Sequence, residues 1–143
     1  MTGLNNGQLS LEYILLLCGF LAGFLLLLPS ASQAFNASIF ALDVSNAKNF
    51  LDDFTGSVEK LSVMGNGSRL SVEARPFNKW VLEVSETSAT ITVFGKDTEP
   101  KKIFSKLPVS LVSFSETMTE RKSFSFAKGN GKILIVHNYS ESG

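Results

Sequence analysis

The 20-residue run from Leu9 to Leu28 constrains this chain most, because 13 of its side chains are Leu, Ile or Phe. As a helix it is about 30 Å long, which matches the hydrocarbon thickness of a bilayer. The 13 side chains contribute about −4 to −8 kcal/mol to membrane insertion, whereas a carboxylate such as Glu12 costs about 3 kcal/mol at the bilayer centre. The segment is therefore predicted to enter a membrane, and Glu12 needs a separate explanation.

The charges are confined to the later part of the chain. Lysine plus arginine and aspartate plus glutamate number 13 each, and Glu12 is the only charged residue before Asp43. A net charge of zero provides no basic surface for nucleic acid, so no nucleic-acid partner is predicted. The single cysteine, Cys18, excludes an internal disulfide and is expected to act as a small apolar side chain. The sequence thus divides into an apolar stem and an ordinary soluble part.

Three interpretations of the apolar segment are open. A secretory signal peptide would be cleaved after Ser32-Gln33-Ala34, but no lysine or arginine precedes its apolar core and Glu12 lies at the start of that core. A permanent single-pass anchor fits the length and leaves Glu12 unexplained. The third interpretation uses the polar residues at the start of the segment.

The pattern Q-x-S-x-E-x-x-x-L directly follows a glycine at the start of the apolar run. Its residues are Gly7, Gln8, Ser10, Glu12 and Leu16. This pattern resembles the class III signal peptide of archaeal, in particular euryarchaeal, type IV pilin-like proteins. The resemblance implies that a membrane prepilin peptidase cuts between Gly7 and Gln8, and that the apolar helix is kept. The preceding residues depart from the family pattern in having no lysine or arginine.

The same resemblance gives Glu12 a role. Cleavage after Gly7 would make Glu12 the fifth residue of the mature chain, where the family's glutamate pairs with the N-terminal amine of a neighbouring subunit. A positioned ammonium group offsets the cost of a carboxylate in an apolar medium. Farther along the helix, Gly19 and Gly23 form a G-x-x-x-G pattern, which allows two helices to pack closely in a membrane or in a filament core.

Helical periodicity continues beyond membrane length. Apolar residues at helical spacing predict that residues 29–64 extend the helix, with one face buried against its own domain. They are Phe35, Ile39, Leu42, Phe50, Phe54, Val58 and Leu61. Charged residues, Asp43 among them, are expected to lie off this face. Pro29 can kink the helix, and Gly65-Asn66-Gly67 is its predicted stop.

Residues 65–143 are predicted to form an antiparallel β head. Strand-like runs end at turn residues, and Asn130-Gly131 predicts a hairpin between the last two. The predicted strands are 69–75, 79–85, 89–94, 109–114, 122–127 and 132–137, with a short strand at 102–105 inside a charged loop. The predicted fold class is α+β: a long hydrophobic N-terminal helix, as in the lollipop arrangement of pilins, followed by an antiparallel sheet.

No catalytic motif, phosphate loop or metal-ligand cluster is present in the sequence, so neither an enzyme, a cofactor nor a metal is predicted. Three N-x-S sequons begin at Asn36, Asn66 and Asn138. Asn66, in a glycine-rich turn, and Asn138, placed beyond the last predicted strand, are the accessible candidates for N-glycosylation. Asn36, close to the membrane or filament core, is the least accessible.

These observations predict a pilin-like filament subunit with a leader (1–7), a transmembrane or filament-core helix (8–28), an amphipathic continuation (29–64) and a β head (65–143). Its expected partners are the prepilin peptidase, the membrane before assembly, and copies of itself or other pilins. The expected location is an extracellular filament that serves adhesion or surface attachment. The alternatives are a membrane-anchored extracellular β domain that binds a ligand without polymerising, and a soluble domain released after Ala34.

Overall fold

A computed structural model describes the backbone of residues 4–139 and the side chains of residues 10–136. This part of the chain forms one long helix followed by seven antiparallel strands, which confirms the predicted α+β class. The elements are α1 (Leu4–Val63), β1 (Arg69–Ala74), β2 (Trp80–Val84), β3 (Ser88–Gly95), β4 (Thr98–Lys106), β5 (Phe114–Met118), β6 (Lys122–Gly129) and β7 (Lys132–Tyr139).

Helix α1 runs through Pro29 without a break and comprises 60 residues. Proline removes one backbone donor, a loss that a helix of this length tolerates. The contacts divide the chain into two compact units, Met1–Ala37 and Ser38–Gly143. The helix ends at Val63, two residues before the predicted stop, and Gly67 adopts a left-handed conformation with φ of 91° in the turn that follows.

Carbonyl groups in the last turn of α1 and directly after it bind a side chain from the sheet. Lys128 on β6 donates from Nζ to the carbonyl oxygens of Ser62 and Met64, both at 2.7 Å. The final turn of a helix leaves its carbonyls without intrahelical partners and carries partial negative charge, so an ammonium group is a favourable cap there. The backbone of Lys128 also exchanges hydrogen bonds with Gly67 and Ser68, which ties β6 to the same turn.

The strands form two antiparallel sheets. One has the order β1-β6-β7 and the other the order β4-β3-β2-β5. The predicted Asn-Gly hairpin is confirmed: it joins β6 to β7, and Asn130 and Gly131 have positive φ values of 49° and 76°. The pairings of β1 with β6 and of β2 with β5 join strands distant in sequence, and no local signal predicts them.

The strand predicted at residues 109–114 is wrong, because β5 begins only at Phe114. The preceding segment is a loop held by two backbone bonds, from the N–H of Leu107 to Thr87 and from the N–H of Leu111 to Glu86. Within the predicted strand only Leu111 is buried, whereas Val112 is exposed, so one loop side chain reaches the core without strand pairing. The short strand predicted at 102–105 is instead the nine-residue β4, an edge strand.

Within the unit Ser38–Gly143, the core lies between the second half of α1 and the sheets. Phe50, Phe54, Val58 and Leu61 are buried as predicted, together with Ala47 and Leu51. Aromatic rings fill the centre, and the ring of Phe54 meets that of Phe126 edge-on at 5.0 Å between centroids. The predicted buried face of the helix was wrong at two positions, because Phe35 and Leu42 are exposed.

Asp43 was predicted to lie off the buried face and is instead fully buried. Its Oδ1 accepts hydrogen bonds from the indole Nε1 of Trp80 at 2.7 Å and from the backbone N–H of Phe77 at 3.0 Å, and its Oδ2 accepts one from the N–H of Asn78 at 2.9 Å. A buried carboxylate is tolerated when several donors replace its water shell. Asp43 therefore lies on the buried face of α1, among apolar residues, and joins α1 to the start of β2.

Asp43→Ala should lower the free energy of unfolding of the Ser38–Gly143 unit by about 3 kcal/mol or more, because three donors lose their acceptor at about 1–3 kcal/mol each. Urea unfolding of the full chain in detergent micelles, followed by the fluorescence of the buried Trp80, measures this change. Asp52→Ala, at an exposed position of the same helix, should cost less than about 0.5 kcal/mol. Equal effects of the two substitutions would contradict the anchoring role.

Candidate assembly helix

The first unit presents an uncovered apolar surface. Every side chain from Ser10 to Phe35 is exposed. The large apolar side chains among them are Leu11, Tyr13, Ile14, Leu15, Leu16, Leu17, Phe20, Leu21, Phe24, Leu25, Leu26, Leu27, Leu28 and Phe35. Soluble monomers rarely leave a contiguous apolar surface of this extent in water, so such a surface indicates contact with lipid or with other protein chains.

Helix α1 is also long and apolar enough to cross a membrane. It is the one such helix within the described residues, and none of the side chains in its apolar window is buried. An all-apolar helix of membrane length satisfies its backbone hydrogen bonds internally, which is the condition for stability in lipid. The first part of α1 is therefore compatible with membrane insertion.

Glu12 is the one charged side chain in this exposed apolar segment, and the described residues provide no cation within ion-pair distance of it. At about 100° per residue, Leu16, Gly19 and Gly23 project within about 60° of one another and of Glu12. Ser10 projects from the opposite side. The helix therefore brings four of the predicted residues onto one face, although none of the sequence predictions placed Glu12 with the two glycines.

The predicted cleavage position lies in the first turns of α1. The backbone of Gly7 and Gln8 is helical, whereas their side chains lie outside the described residues. A peptidase binds its substrate in an extended conformation, so cleavage between these two residues requires the first turn to unwind. Unwinding the end of a helix costs little compared with unwinding its middle, because no interior hydrogen bonds are broken.

Gly19 and Gly23 leave open space beside the helix. A Cβ atom built at either position meets no atom within 4 Å other than the helix's own nearby backbone. Neither glycine is therefore required by packing within the described part of the chain. What two glycines four residues apart do permit is the close approach of a second helix backbone.

The three sequons occupy different kinds of structure. Asn66 is exposed in the turn between α1 and β1, whereas Asn36 is half-buried on α1. The placement of Asn138 beyond the last strand was wrong, because β7 extends to Tyr139 and pairs Asn138 with Ser123. Strand β7 is longer than predicted because it pairs with β6 along the whole length of β6, as far as the pair Lys122 and Tyr139. The side chain of Asn138 lies outside the described residues, and its glycosylation stays a prediction.

Neither the single cysteine nor the potential metal ligands among the described residues indicate a metal site. Cys18 is exposed and free on the apolar helix. Among the described residues no group of three His, Cys, Asp or Glu side chains lies close enough together to hold a metal ion. The arrangement of the first unit is suited to association with lipid or with another helix.

The chain matches no protein-family model, no curated protein and no solved structure. Its own residues and geometry carry the functional argument.

Gly23→Ile should weaken association between copies of the helix in lipid bilayers by about tenfold, because it removes about 1–2 kcal/mol of close backbone packing. Energy transfer between donor- and acceptor-labelled full-length chains in liposomes measures the association. Urea unfolding of the same variant should remain unchanged, since a Cβ at Gly23 meets nothing.

The control is Cys18→Ile, which adds bulk about 100° around the helix from Gly19 and about 140° from Gly23. It should leave association at the level of the native chain. Equal losses in both variants, or none in Gly23→Ile, would contradict a packing face at the glycines.

Proposed function

We propose that the chain is a structural subunit of an extracellular, type IV pilus-like filament. The observation that carries this proposal is the Q-x-S-x-E-x-x-x-L pattern after Gly7, which opens an apolar helix exposed from Ser10 to Phe35. A membrane anchor accounts for the apolar helix alone. The pilin interpretation accounts also for Glu12, whose carboxylate would otherwise be an uncompensated cost.

Assembly in this proposal is an exchange of apolar environments. The helix first lies in the membrane, where lipid covers its side chains. It then leaves the lipid and packs against the helices of neighbouring subunits, so that the filament core replaces the bilayer as its apolar surroundings. The gain in free energy at this step is small, because lipid and protein interior are similarly apolar, and specific contacts therefore decide whether assembly occurs.

Glu12 and the new amino group of Gln8 provide such a specific contact. Cleavage after Gly7 creates an ammonium group four residues before Glu12. In a staggered bundle, the ammonium group of one subunit meets the carboxylate of the next. An ion pair in a low-dielectric core is favourable when both charges are paired, and strongly unfavourable when one of them is alone. The pair would thus set the register between subunits, and the glycine face that includes Glu12 would allow the helices to approach.

The β head would cover the outside of such a filament and provide the contacts for adhesion or surface attachment. The chain would be membrane-inserted before assembly and extracellular afterwards, and its role would be structural, without catalysis. Its partners would be the prepilin peptidase and copies of itself or of other pilins. The competing proposal, an anchored β domain that does not polymerise, predicts no processing and no filaments.

Peptide mapping and intact mass of the protein from its native membrane or surface fraction should reveal a mature chain that begins at Gln8. Gly7→Val should retain residues 1–7, because a β-branched side chain blocks a site that requires glycine. Gly3 lies in the same segment but away from the scissile bond, so the Gly3→Val variant should be cleaved normally. A chain that begins at Phe35 would instead identify a secreted domain, and one that keeps Met1 would identify a simple anchor.

Glu12→Ala and the isosteric Glu12→Gln should both insert into the membrane and both reduce filament number by about tenfold or more, because the buried ammonium group loses its partner. Electron microscopy of negatively stained cells counts the filaments, and membrane fractionation verifies insertion. Glu83→Ala, which removes an exposed carboxylate from β2, is the matched control. Filament numbers equal to those of the native protein in the Glu12 variants would refute the assembly role.

A further inference from the structure

The unit Ser38–Gly143 contains a cleft of about 470 Å³ between α1 and the end of β1. Its volume lies in the range of small-molecule sites. It is lined by a face of α1, by the loop that follows β1, and by two arginine side chains, Arg75 and Arg121. The buried Phe50 also lines it.

The helix wall is polar and has unused hydrogen-bonding capacity. Asn46, Asn49 and Asp53 line the cleft at spacings of three and four residues, which places them on one face of α1. No described residue forms a hydrogen bond with any of their side chains. Amide groups both donate and accept, and a carboxylate accepts. This combination matches hydroxyl groups, each of which is both a donor and an acceptor.

The loop after β1 contributes an aromatic residue on a fixed backbone. Phe77 is 58% exposed, although phenylalanine is usually buried. Its backbone N–H is bound to the buried Asp43 at 3.0 Å, and the next N–H is bound to the same carboxylate at 2.9 Å. These bonds fix the backbone that carries the ring, and the ring itself stays mostly exposed. The negative face of such a ring attracts the C–H groups of a flat aliphatic ring that packs against it.

Two arginine side chains share a single carboxylate beside the cleft. Arg75 and Arg121 both bind the carboxylate of Glu73: Nη2 of each lies 2.8 Å from Oε2, and Nε of Arg121 is bonded to Oε1. Glu73 is the one carboxylate paired with the two guanidinium groups, and Asp53, which forms no ion pair with either of them, brings the formal charge of the cleft residues to zero. Both side chains remain mostly exposed, at 69% and 60%, and each has N–H donors to spare. Paired guanidinium groups of this kind are suited to bind a second carboxylate.

We propose that this cleft binds an acidic saccharide, a pyranose ring that carries a carboxylate. The C–H face of the ring packs on Phe77, its hydroxyl groups bond to Asn46, Asn49 and Asp53, and its carboxylate binds Arg75 and Arg121. All of these residues belong to the unit Ser38–Gly143. The site therefore requires neither leader cleavage nor polymerisation, and its failure in a test would leave the filament proposal intact.

The probe is methyl β-D-glucuronide, and its matched control is methyl β-D-glucoside, which has a CH₂OH group in place of the carboxylate. The full-length chain is dissolved in lauryldimethylamine oxide micelles, a detergent without a sugar headgroup, with ¹⁵N in its asparagine side chains. The glucuronide should shift the amide resonances of Asn46 and Asn49 saturably, with Kd on the order of 1 mM. The glucoside should bind about tenfold more weakly, since it lacks the group that the arginines bind.

Phe77→Ala should weaken glucuronide binding by about tenfold, because the packing surface is lost while the backbone bond to Asp43 remains. Arg121→Gln should reduce glucuronide affinity to the glucoside level. Phe104→Ala, at a 68% exposed position on β4 outside the cleft, should change neither value. Fluorescence of Trp80 verifies that each variant is folded.

Three results would overturn the proposal. The first is the absence of a saturable shift with glucuronide up to about 50 mM. The second is equal affinity for the two sugars, which would remove the role of the arginines. The third is undiminished binding in a folded Phe77→Ala variant, which would place the sugar elsewhere on the head.

Discussion

The buried carboxylate of Asp43 is the interaction on which the rest of the head depends. It accepts three hydrogen bonds from Phe77, Asn78 and Trp80, and through them it joins α1 to the first residue of β2. Trp80 is thereby held in the core, where its ring lies 6.2 Å from that of Phe50. Because β2 is an inner strand of the four-stranded sheet, its position also determines where its two neighbours pair. The same bonds hold Phe77 at the surface, so one carboxylate stabilises the core and shapes the cleft.

The two parts of α1 differ in what covers them. In the second part, strands bury one face and the opposite face meets water, as expected of an amphipathic helix. In the first part, apolar residues surround the helix on all sides and every side chain from Ser10 to Phe35 is exposed. Apolar side chains of this density are stable only when lipid or protein surrounds them. In the proposed filament, lipid would surround the helix first and protein afterwards. Glu12 would then make the protein contact selective, because a lone carboxylate favours a neighbour that brings an ammonium group.

Sequence patterns predicted the elements that local interactions determine. The α1 helix, its stop near Gly65 and the Asn130-Gly131 hairpin follow from periodicity and from residues that accept positive φ. Predictions failed where a distant partner decides the outcome. Residues 109–113 resemble a strand but lie in a loop, where Leu111 reaches the core although the segment pairs with no strand. Asp43 was expected at the surface because charge is costly to bury, and the three donors that offset this cost come from residues 34 to 37 positions away.

The sequence alone determined that this protein has an apolar helix of membrane length, a single carboxylate near its start, and a β-rich region after it. These properties depend on composition and on spacing within one helix or one hairpin, and they require no knowledge of distant contacts. Only the tertiary structure decided that β1 pairs with β6 and that β2 pairs with β5. It likewise decided that Asn46, Phe77 and Arg121 line one cleft. Residues so far apart in sequence meet only when the whole core is packed, because the free energy that holds them together comes from the burial of many side chains at once.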